Sequence, residues 1–404
     1  MTAWAERQRL ASVILVDRRE RVLGELPAVA LSEPWLQEIA ELVDHVNTAH
    51  EISIAILRLL QVDDSEPGPI RAQYLAELSR GDPGRLPLQP WHGELTPEPL
   101  RQSYASAGGP QSDLDWAAAE LERQGFGQLI QCRQIRTWNL SSIWQLHTEN
   151  ETFWLKSVPS FFAHEGRVLS LLQSEAVPRL IAHDNQRVLM GHQAGEDCYD
   201  ADLPLMRKMV TALVELQWRW RTRTAELKRA GIQDHSGMLL CESVTDVINR
   251  HLDELTPGEQ SILANFRDTL PDRIKALWAA GIPSTLVHGD YHPGNWRGNS
   301  SHTIILDWGD CFIGHPLQDL PALLDRAGDD ADELREHWIK EWQSHCPEAD
   351  MEHALDLVTP LARARMAAVY QMFLDNIEPT ERIYHEDDPL SCLCQVIESL
   401  ASTA

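Results

Sequence analysis

The alternation of apolar and polar positions along the first ninety residues predicts a small mixed module. Residues 11–27 are typical of two strands joined by the charged turn DRRER. Residues 33–52 place apolar side chains at helical spacing, and strand patterns follow at 53–60 and 70–78 with a turn-rich loop between them. We therefore expect residues 1–90 to form a small α+β module.

The pattern changes after this module. Proline and glycine recur through residues 81–113, which is typical of a linker, and residues 112–125 predict a helix with a Ser/Asp cap and a glycine end. Three strands are predicted within residues 127–158, a helix at 160–173 and a strand hairpin at 177–192. Helical patterns dominate the rest of the chain.

We expect four segments from this order of elements. They are the module at 1–90, a linker with a helix at 91–126, a β-rich lobe at 127–192, and a helical lobe at 193–404 that contains one polar hairpin.

Composition and charge exclude several classes of function. The formal net charge of −26 over 404 residues disfavours nucleic acid as a partner, because nucleic-acid binders present a basic surface. No apolar run reaches the roughly 18 residues of a membrane span, and the first residues show no cleavable signal pattern. We therefore expect a cytoplasmic protein with no membrane partner. Seven scattered cysteines argue against a disulfide framework.

One short segment combines dense polar chemistry with a predicted strand. Residues 287–310, VHGDYHPGNWRGNSSHTIILDWGD, surround the apolar run TIIL with carboxylates, histidines and an asparagine. Asp290 and Asn295 share one loop, and Asp307 follows the strand. Carboxylate and amide oxygens suit magnesium, and a further carboxylate can orient or deprotonate an acceptor hydroxyl. The segment therefore predicts phosphoryl transfer.

The spacing of this segment resembles the aminoglycoside phosphotransferase and choline kinase family. HGDYHPGN places His288, Asp290 and Asn295 in the register of the kinase catalytic loop, and DWGD places Asp307 at the metal-binding aspartate. The resemblance covers residues 127–330. It implies a bilobal protein-kinase-like fold of the α+β class, here preceded by the small module. It also implies ATP and Mg2+ as cofactors, Asp290 as the catalytic group, and Asn295 and Asp307 as metal ligands.

The same resemblance assigns further residues. A lysine on the third strand of the small lobe and a glutamate on the next helix anchor the donor phosphates in such kinases, and Lys156 and Glu165 match them. The connector VLMGH would meet the adenine through the backbone at Met190 and His192. Asp319, in GHPLQDL, would pin the catalytic loop by accepting backbone N–H bonds, since a buried carboxylate requires such donors.

The chain departs from the kinase pattern at the turn that covers the donor phosphates. No G-x-G-x-x-G sequence is present, and the corresponding turn RTWNLSS contains no glycine. Ser141 and Ser142 could donate hydrogen bonds to phosphate there, or could be ordinary solvated turn residues. No Walker A motif is present either, which excludes P-loop chemistry. We expect His288 to support the catalytic loop structurally.

A small molecule with a hydroxyl group is the expected acceptor. Only CFIGHP and two further residues follow DWGD before the aspartate of GHPLQDL, which leaves no room for a peptide-binding activation segment. His292, Asp325, Tyr370 and Asp375 are candidate acceptor contacts, because acidic and aromatic groups suit polyhydroxy or amino-bearing ligands. They could equally be core or solvated residues. An aminoglycoside, an amino alcohol and a sugar all remain open, as does the oligomeric state.

Two alternatives also remain open. One is a catalytically silent nucleotide-binding regulator on the same fold, which the intact set of Asp290, Asn295 and Asp307 disfavours. The other concerns the N-terminal module, which weakly resembles part of a Nudix domain. Its helical segment at 36–52 lacks the glutamate-rich metal box, so a binding, lid or dimerisation role is expected rather than hydrolase activity. Such a module could cover an exposed sheet edge.

Overall fold

A computed structural model describes residues 7–65, 68–173, 176–299 and 302–402. The ends of the predicted segments at 1–6 and 403–404 lie outside this range. No helix within it has the length and apolar character needed to cross a membrane.

The chain forms two compact units that do not follow a single cut in the sequence. The ranges of the first are Met1–Gly166, Leu180–His192 and Asn376–Tyr384, and those of the second are Arg167–Arg179, Gln193–Asp375 and His385–Ala404.

A four-stranded sheet begins the first unit. Its strands are β1 (Arg9–Val16), β2 (Val22–Leu31), β3 (Ser53–Asp63) and β4 (Ile70–Arg80). They lie in the order β2-β1-β4-β3, with β1 and β4 parallel and the other neighbours antiparallel. All four strands match the sequence-based predictions.

The helix of this module is shorter than its apolar pattern suggests. Helix α1 (Ala40–His50) buries Leu42, Val43 and Val46. Leu36 and Ile39, which extend the helical spacing backwards, lie in the segment before the helix, yet they are fully buried in the same core. The periodicity therefore identified core positions correctly and placed the beginning of the helix too early.

A second, five-stranded antiparallel sheet completes the first unit. Its strands are β5 (Gln131–Trp138), β6 (Ser141–His147), β7 (Thr152–Ser157), β8 (Leu180–His183) and β9 (Arg187–Gly191). The order is β5-β6-β7-β9-β8, and all five strands match predicted ones.

Two helices accompany this sheet. Helix α2 (Gly109–Arg123) begins after Gly108, so the predicted Ser/Asp cap is wrong. Asp113 lies inside the helix instead, where it is buried and accepts a hydrogen bond of 2.6 Å from the Ser157 hydroxyl. The helix predicted at 160–173 is a 3-10 turn followed by α3 (Glu165–Leu171).

The module covers one edge of the five-stranded sheet. The edge strand is β5, where the N–H of Thr137 donates to the Gln37 carbonyl at 3.1 Å and the Ile135 carbonyl accepts from the N–H of Ile39 at 3.2 Å. The residues just before α1 thus satisfy backbone groups that an open edge would leave exposed.

A segment from the far end of the chain also belongs to the first unit. We call residues 377–384 the strap. Ile383 and Tyr384 pack against the core of the four-stranded sheet, and the ring of Tyr384 meets that of Trp138 edge-on at 5.5 Å. The strap is therefore part of the first unit, and its Tyr384 packs beside the β5–β6 turn.

Helices dominate the second unit, as predicted. They are α4 (Leu203–Trp220), α5 (Thr224–Arg229), α6 (Met238–His251), α7 (Pro257–Asp268), α8 (Leu270–Ala279), α9 (Leu320–Ala327), α10 (Ala331–His345), α11 (Met351–Asn376) and α12 (Asp388–Ser402).

Short strands interrupt these helices at the polar hairpin. Strand β11 (Thr285–Val287) pairs antiparallel with β14 (Phe312–Gly314). Strand β12 (Trp296–Gly298) lies between β10 (Glu196–Asp197) and β13 (Thr303–Ile305), and β13 matches the strand predicted from TIIL. These strands frame the loop that carries the candidate chemistry.

Candidate active site

The loop of residues 288–295 connects β11 to β12 and passes very close to the DWGD segment. Gly289 has a φ of +92°, and a Cβ there would collide with the carbonyl oxygen of Asp310. Both the left-handed backbone and the close approach require glycine at this position. The second residue of the HGD motif is therefore fixed by geometry.

Asp319 holds the beginning of this loop from beneath. Its Oδ1 accepts the N–H of Gly289 at 2.7 Å, and its Oδ2 accepts the N–H of His288 at 3.0 Å and the side-chain amide of Gln217 at 2.9 Å. Burial raises the pKa of Asp319 to about 7, although the two backbone donors oppose the shift. These are the backbone contacts that its expected supporting role requires.

His288 joins the loop to the strand that precedes DWGD. Its Nε2 lies 2.9 Å from the carbonyl oxygen of Leu306, and its Nδ1 accepts the N–H of Asp290 at 3.3 Å. The ring is fully buried, and burial lowers the pKa of His288, which favours the neutral form. A neutral ring that donates through Nε2 and accepts through Nδ1 supports the loop structurally.

Asp290 and Asn295 are in direct contact. The Asn295 Nδ2 donates to the Asp290 backbone carbonyl at 2.8 Å and to the Asp290 Oδ2 at 2.9 Å. Burial works against ionisation of Asp290, but hydrogen bonding from His292, with smaller contributions from His288 and Asn295, lowers its pKa overall. The group is thus an ionised carboxylate at neutral pH, as a hydrogen-bond acceptor for a substrate hydroxyl must be.

The β12–β13 hairpin brings the backbone of Asn295 beside Leu306, the residue before Asp307. Trp296 pairs with Ile305, and the Leu306 N–H donates to the Asn295 carbonyl at 2.7 Å. Asp307 follows directly, is exposed and has a φ of +56°. A left-handed conformation is unfavourable for a residue other than glycine, and such strain concentrates at functional sites.

The donor atoms of this pair fit a magnesium ion. Because the Asn295 nitrogen is held by Asp290, its Oδ1 is the amide atom left for a ligand. The Asp307 carboxylate adds a second hard oxygen. Within the described residues no three His, Cys, Asp or Glu side chains cluster as a metal site. Two protein ligands are consistent with magnesium, which usually keeps waters and substrate phosphates in its shell.

Lys156 and Glu165 form an ion pair within the first unit. The lysine Nζ lies 3.0 Å from Oε1 and 2.9 Å from Oε2 of the glutamate. Both residues are buried, at 7% and 1% exposure. The predicted partners on β7 and α3 are therefore brought together, in the geometry expected for an anchored lysine.

The backbone N–H of His192 is not available for the predicted adenine contact. Its N–H donates to the Thr152 carbonyl at 3.1 Å, and its Nδ1 accepts the indole N–H of Trp154 at 3.0 Å. The backbone donor is used to extend the pairing of β7 with β9, so it is not offered to a ligand. Met190 lies opposite Trp154 in the same ladder.

Ser141 and Ser142, in the turn expected to cover the donor phosphates, are neither solvated nor placed to donate to phosphate. Ser141 and Ser142 are 5% and 1% exposed, and the Ser141 hydroxyl accepts the Trp138 indole N–H at 3.1 Å. The tip of the turn is Asn139 and Leu140, and the Asn139 carbonyl accepts the Tyr104 hydroxyl at 2.9 Å. Both serine hydroxyls are turned into the protein, which does not suit direct contact with phosphate.

The candidate acceptor residues on the C-terminal helices have partners of their own. Asp325 forms a bidentate pair with Arg363, at 2.6 Å to each oxygen. Asp375 accepts hydrogen bonds from Arg250 Nη1, at 2.9 Å to each carboxylate oxygen. Their charges are therefore partly neutralised within the protein, and these contacts favour a structural role over acceptor binding.

Tyr370 remains a candidate acceptor contact. Its ring packs edge-on against Phe373 and contacts His385. Burial raises the pKa of Tyr370 well above its usual value, and the carboxylates of Asp388 and Asp290 add to this shift. The charge of the Asp290 carboxylate thus acts on Tyr370.

Two residues beside the loop were not anticipated from the sequence. Arg365, on α11, is buried with its guanidinium 3.6 Å from the centre of the Phe312 ring and donates to the Asp310 carbonyl at 2.9 Å. The sequence signal that could have identified Arg365 is an arginine among the apolar residues of ARARMAAVY. Tyr199 is 65% exposed and lies beside Gly294, and nothing in the local sequence identifies it.

Comparisons with known proteins concern the family and the fold. The sequence model of the phosphotransferase enzyme family matches residues 131–356. No curated protein matches the chain.

Three solved structures are similar to the chain. Aminoglycoside 2'-phosphotransferase-IIIa in its GDP complex is 14% identical with a TM-score of 0.50, over 73% of this chain and all 100% of that one. An ethanolamine kinase from Plasmodium vivax is 12% identical (TM-score 0.48, 65% and 82% covered). The choline kinase LicA from Streptococcus pneumoniae is 13% identical (TM-score 0.48, 72% and 99% covered). The likeness to the first shows the fold and confirms the predicted protein-kinase-like α+β class.

Proposed function

We propose, because this chain belongs to the phosphotransferase enzyme family, that it transfers the γ-phosphate of ATP to a hydroxyl group of a small molecule with the help of Mg2+. The observation that carries the proposal is the contact of Asp290 with Asn295 on a loop that Asp319 holds through two backbone N–H groups. The proposed base and a proposed metal ligand thus share one loop, and the carboxylate of Asp319 supports its backbone.

Each residue has a proposed role in this reaction. Asp290 orients the acceptor hydroxyl and accepts its proton. Asn295 and Asp307 hold Mg2+, which when bound neutralises charge on the donor phosphates. Lys156, fixed by Glu165, binds those phosphates, and the connector near Met190 meets the base. The comparison structure solved with GDP makes a guanine nucleotide the alternative donor.

The candidate acceptors are the classes of compound expected from the resemblance to the family. An aminoglycoside, an amino alcohol such as choline or ethanolamine, and a sugar are the compounds to test, with Tyr370 as the aromatic contact. We place the enzyme in the cytoplasm, where ATP is available and thiols stay reduced. The seven cysteines are scattered along the chain, which is consistent with that compartment.

An acceptor screen tests the proposal. The purified chain is incubated with Mg-ATP and each candidate acceptor, and ADP release is measured against Asp290→Asn, which keeps the shape and removes the base. We expect at least one acceptor to stimulate ADP release and Asp290→Asn to abolish the stimulation while ATP still binds. Asp272→Asn, an exposed aspartate on α8, is the matched control. Stimulated turnover at the wild-type rate in Asp290→Asn would refute the assignment.

A silent nucleotide-binding regulator is the second candidate. The observation in its favour is the burial of Ser141 and Ser142 in the turn that would cover the donor phosphates. A regulator of this kind binds the nucleotide without turnover. Nucleotide binding measured by calorimetry, with no acceptor-stimulated ADP release across all three compound classes, would favour it.

A further inference from the structure

We infer that His292 is a positioning residue, which orients the side chain of Asp290 and at the same time caps the turn that carries Asn295. The inference rests on the proposed function of this site. It also replaces the expectation that His292 contacts the acceptor.

The hydrogen bonds of the ring fix its tautomer. The His292 Nδ1 accepts the N–H of Gly294 at 3.0 Å, as the cap of the 3-10 turn Pro293–Asn295. A ring nitrogen that accepts a hydrogen bond carries no proton, so the proton of the neutral ring lies on Nε2. That Nε2 is 3.4 Å from the Asp290 Oδ2. Catalytic hydrogen bonds are often long before the substrate binds and tighten afterwards.

This arrangement distinguishes the two oxygens of Asp290. His292 and the Asn295 amide, at 2.9 Å, both approach Oδ2. The carboxylate is therefore held from one side, and Oδ1 is the oxygen left to receive the proton of the acceptor hydroxyl. A base held in one orientation gains from the alignment of the reacting atoms.

The same side chain also connects the base to the metal ligand. The His292 ring caps the turn, and the backbone carbonyl of the same residue accepts the N–H of Asn295 at 2.9 Å. Movement of this ring would therefore change the orientation of Asp290 and the position of Asn295 together. A direct metal ligand would need a free ring nitrogen, and the only lone pair of the neutral ring already faces Gly294.

The side chains of His292 and Tyr199 lie close to Gly294, where a Cβ would project. A Cβ at Gly294 would lie 2.7 Å from Cε1 and 2.9 Å from Nδ1 of His292, and 3.0 Å from Cε1 of Tyr199. Any side chain here would displace the imidazole. The tyrosine ring lies against the same glycine.

Nuclear magnetic resonance of the imidazole nitrogens tests the tautomer without any acceptor. We expect the His292 signals, assigned by their loss in His292→Asn, to show a protonated Nε2 and an unprotonated Nδ1. Gly294→Ala should change this pattern, since it displaces the ring. A proton on Nδ1 in the wild-type protein would overturn the inference, whether or not the chain proves to be a kinase.

Kinetics separate positioning from capping. Asparagine is a good cap and can accept the Gly294 N–H, but it lacks the ring nitrogen that reaches Asp290. With the acceptor found by the ADP-release screen, we expect His292→Asn to lower kcat by roughly 10- to 100-fold, with the KM for Mg-ATP nearly unchanged. His292→Ala should lose at least as much.

The two variants also define the contrary result. If His292→Asn keeps the wild-type kcat while His292→Ala loses it, the histidine only caps the turn, and the positioning role is refuted. Should no acceptor stimulate the wild-type protein at all, the proposed function fails, and the nitrogen spectrum still decides the tautomer.

Discussion

The side-chain amide of Gln134 pairs with the backbone of Ile56 as a neighbouring strand would. Its Oε1 accepts the Ile56 N–H and its Nε2 donates to the Ile56 carbonyl, both at 2.8 Å. The pairing of β3 with β4 is irregular between Ile56 and Arg58, which interrupts the ladder at this point. A buried residue of the five-stranded sheet thus satisfies the backbone of the N-terminal module.

Gln134→Ala tests whether the two sheets of the first unit unfold together. The change leaves a buried N–H and a buried carbonyl without partners, so we expect a loss of about 1–3 kcal/mol in the free energy of unfolding. Gln131→Ala, at an exposed position of the same strand, should cost little. Urea unfolding measures both. The division of the chain near residue 90 stays a prediction, and a separate first transition that Gln134→Ala does not shift would support independent folding of the module.

Local patterns in the sequence predicted most of the strands and helices and identified the candidate segment at residues 287–310. All the strands of the first unit were predicted, because their apolar alternation and turns are local. The contacts of Asp290, Asn295 and Asp319 were expected because these residues match a kinase-like motif. The pairing of Lys156 with Glu165, nine residues away on the next helix, was expected from the resemblance to kinases.

The sequence failed where distant segments decide the environment. The burial of Ser141 depends on the surroundings of the β5–β6 turn, where the strap, more than two hundred residues away, places Tyr384 against Trp138. The loss of His192 as a donor depends on how far β7 and β9 remain paired. Neither is a property of nearby residues, so periodicity could not reveal it.

Glu381, in the strap, predicts a dependence of stability on pH. Its Oε1 accepts the N–H of Leu59 at 3.0 Å. Burial raises the pKa of Glu381 from 4.5 to about 8; Glu378 reinforces the shift, whereas the N–H of Leu59, the backbone of Asn139 and Arg58 oppose it. The folded state therefore keeps a proton that the unfolded state releases above its own pKa.

The sign of the effect follows from this difference. Because the folded state binds more protons between pH 4.5 and about 8, the contribution of Glu381 to stability falls as the pH rises through this window and levels off above it. Glu381→Gln can still accept the Leu59 N–H but cannot ionise, so we expect it to flatten the decline. Urea midpoints across the window measure this, with the exposed Glu386→Gln as control. Parallel curves for Glu381→Gln and the wild type would show that Glu381 is ionised in the folded state.

Gly289→Ala should disrupt the catalytic loop specifically. The new Cβ would meet the Asp310 carbonyl, and the left-handed backbone would be strained as well. We expect loss of acceptor-stimulated ADP release together with lower thermal stability. Gly258→Ala, where nothing lies within 4 Å of the added Cβ near the beginning of α7, is the matched control and should leave both properties intact. Normal turnover in Gly289→Ala would mean that the loop can move away from Asp310.

The Lys156–Glu165 pair allows stability and function to be separated. Lys156→Met leaves a buried carboxylate unpaired, and breaking a buried ion pair in this way typically costs about 3–5 kcal/mol. Replacing both residues by methionine removes the charge and its partner together, so we expect the double variant to recover much of the stability. Urea unfolding measures this difference.

Nucleotide binding should not recover in the same way. If Lys156 holds the donor phosphates, both variants lose affinity for Mg-ATP, since neither has the ammonium group. Binding of a fluorescent ATP analogue measures this, and Lys208→Met, on α4, serves as a control for the removal of a lysine. A double variant that is stable and binds Mg-ATP like the wild type would show that the pair is purely structural, and the donor phosphates would then have to be held by other residues.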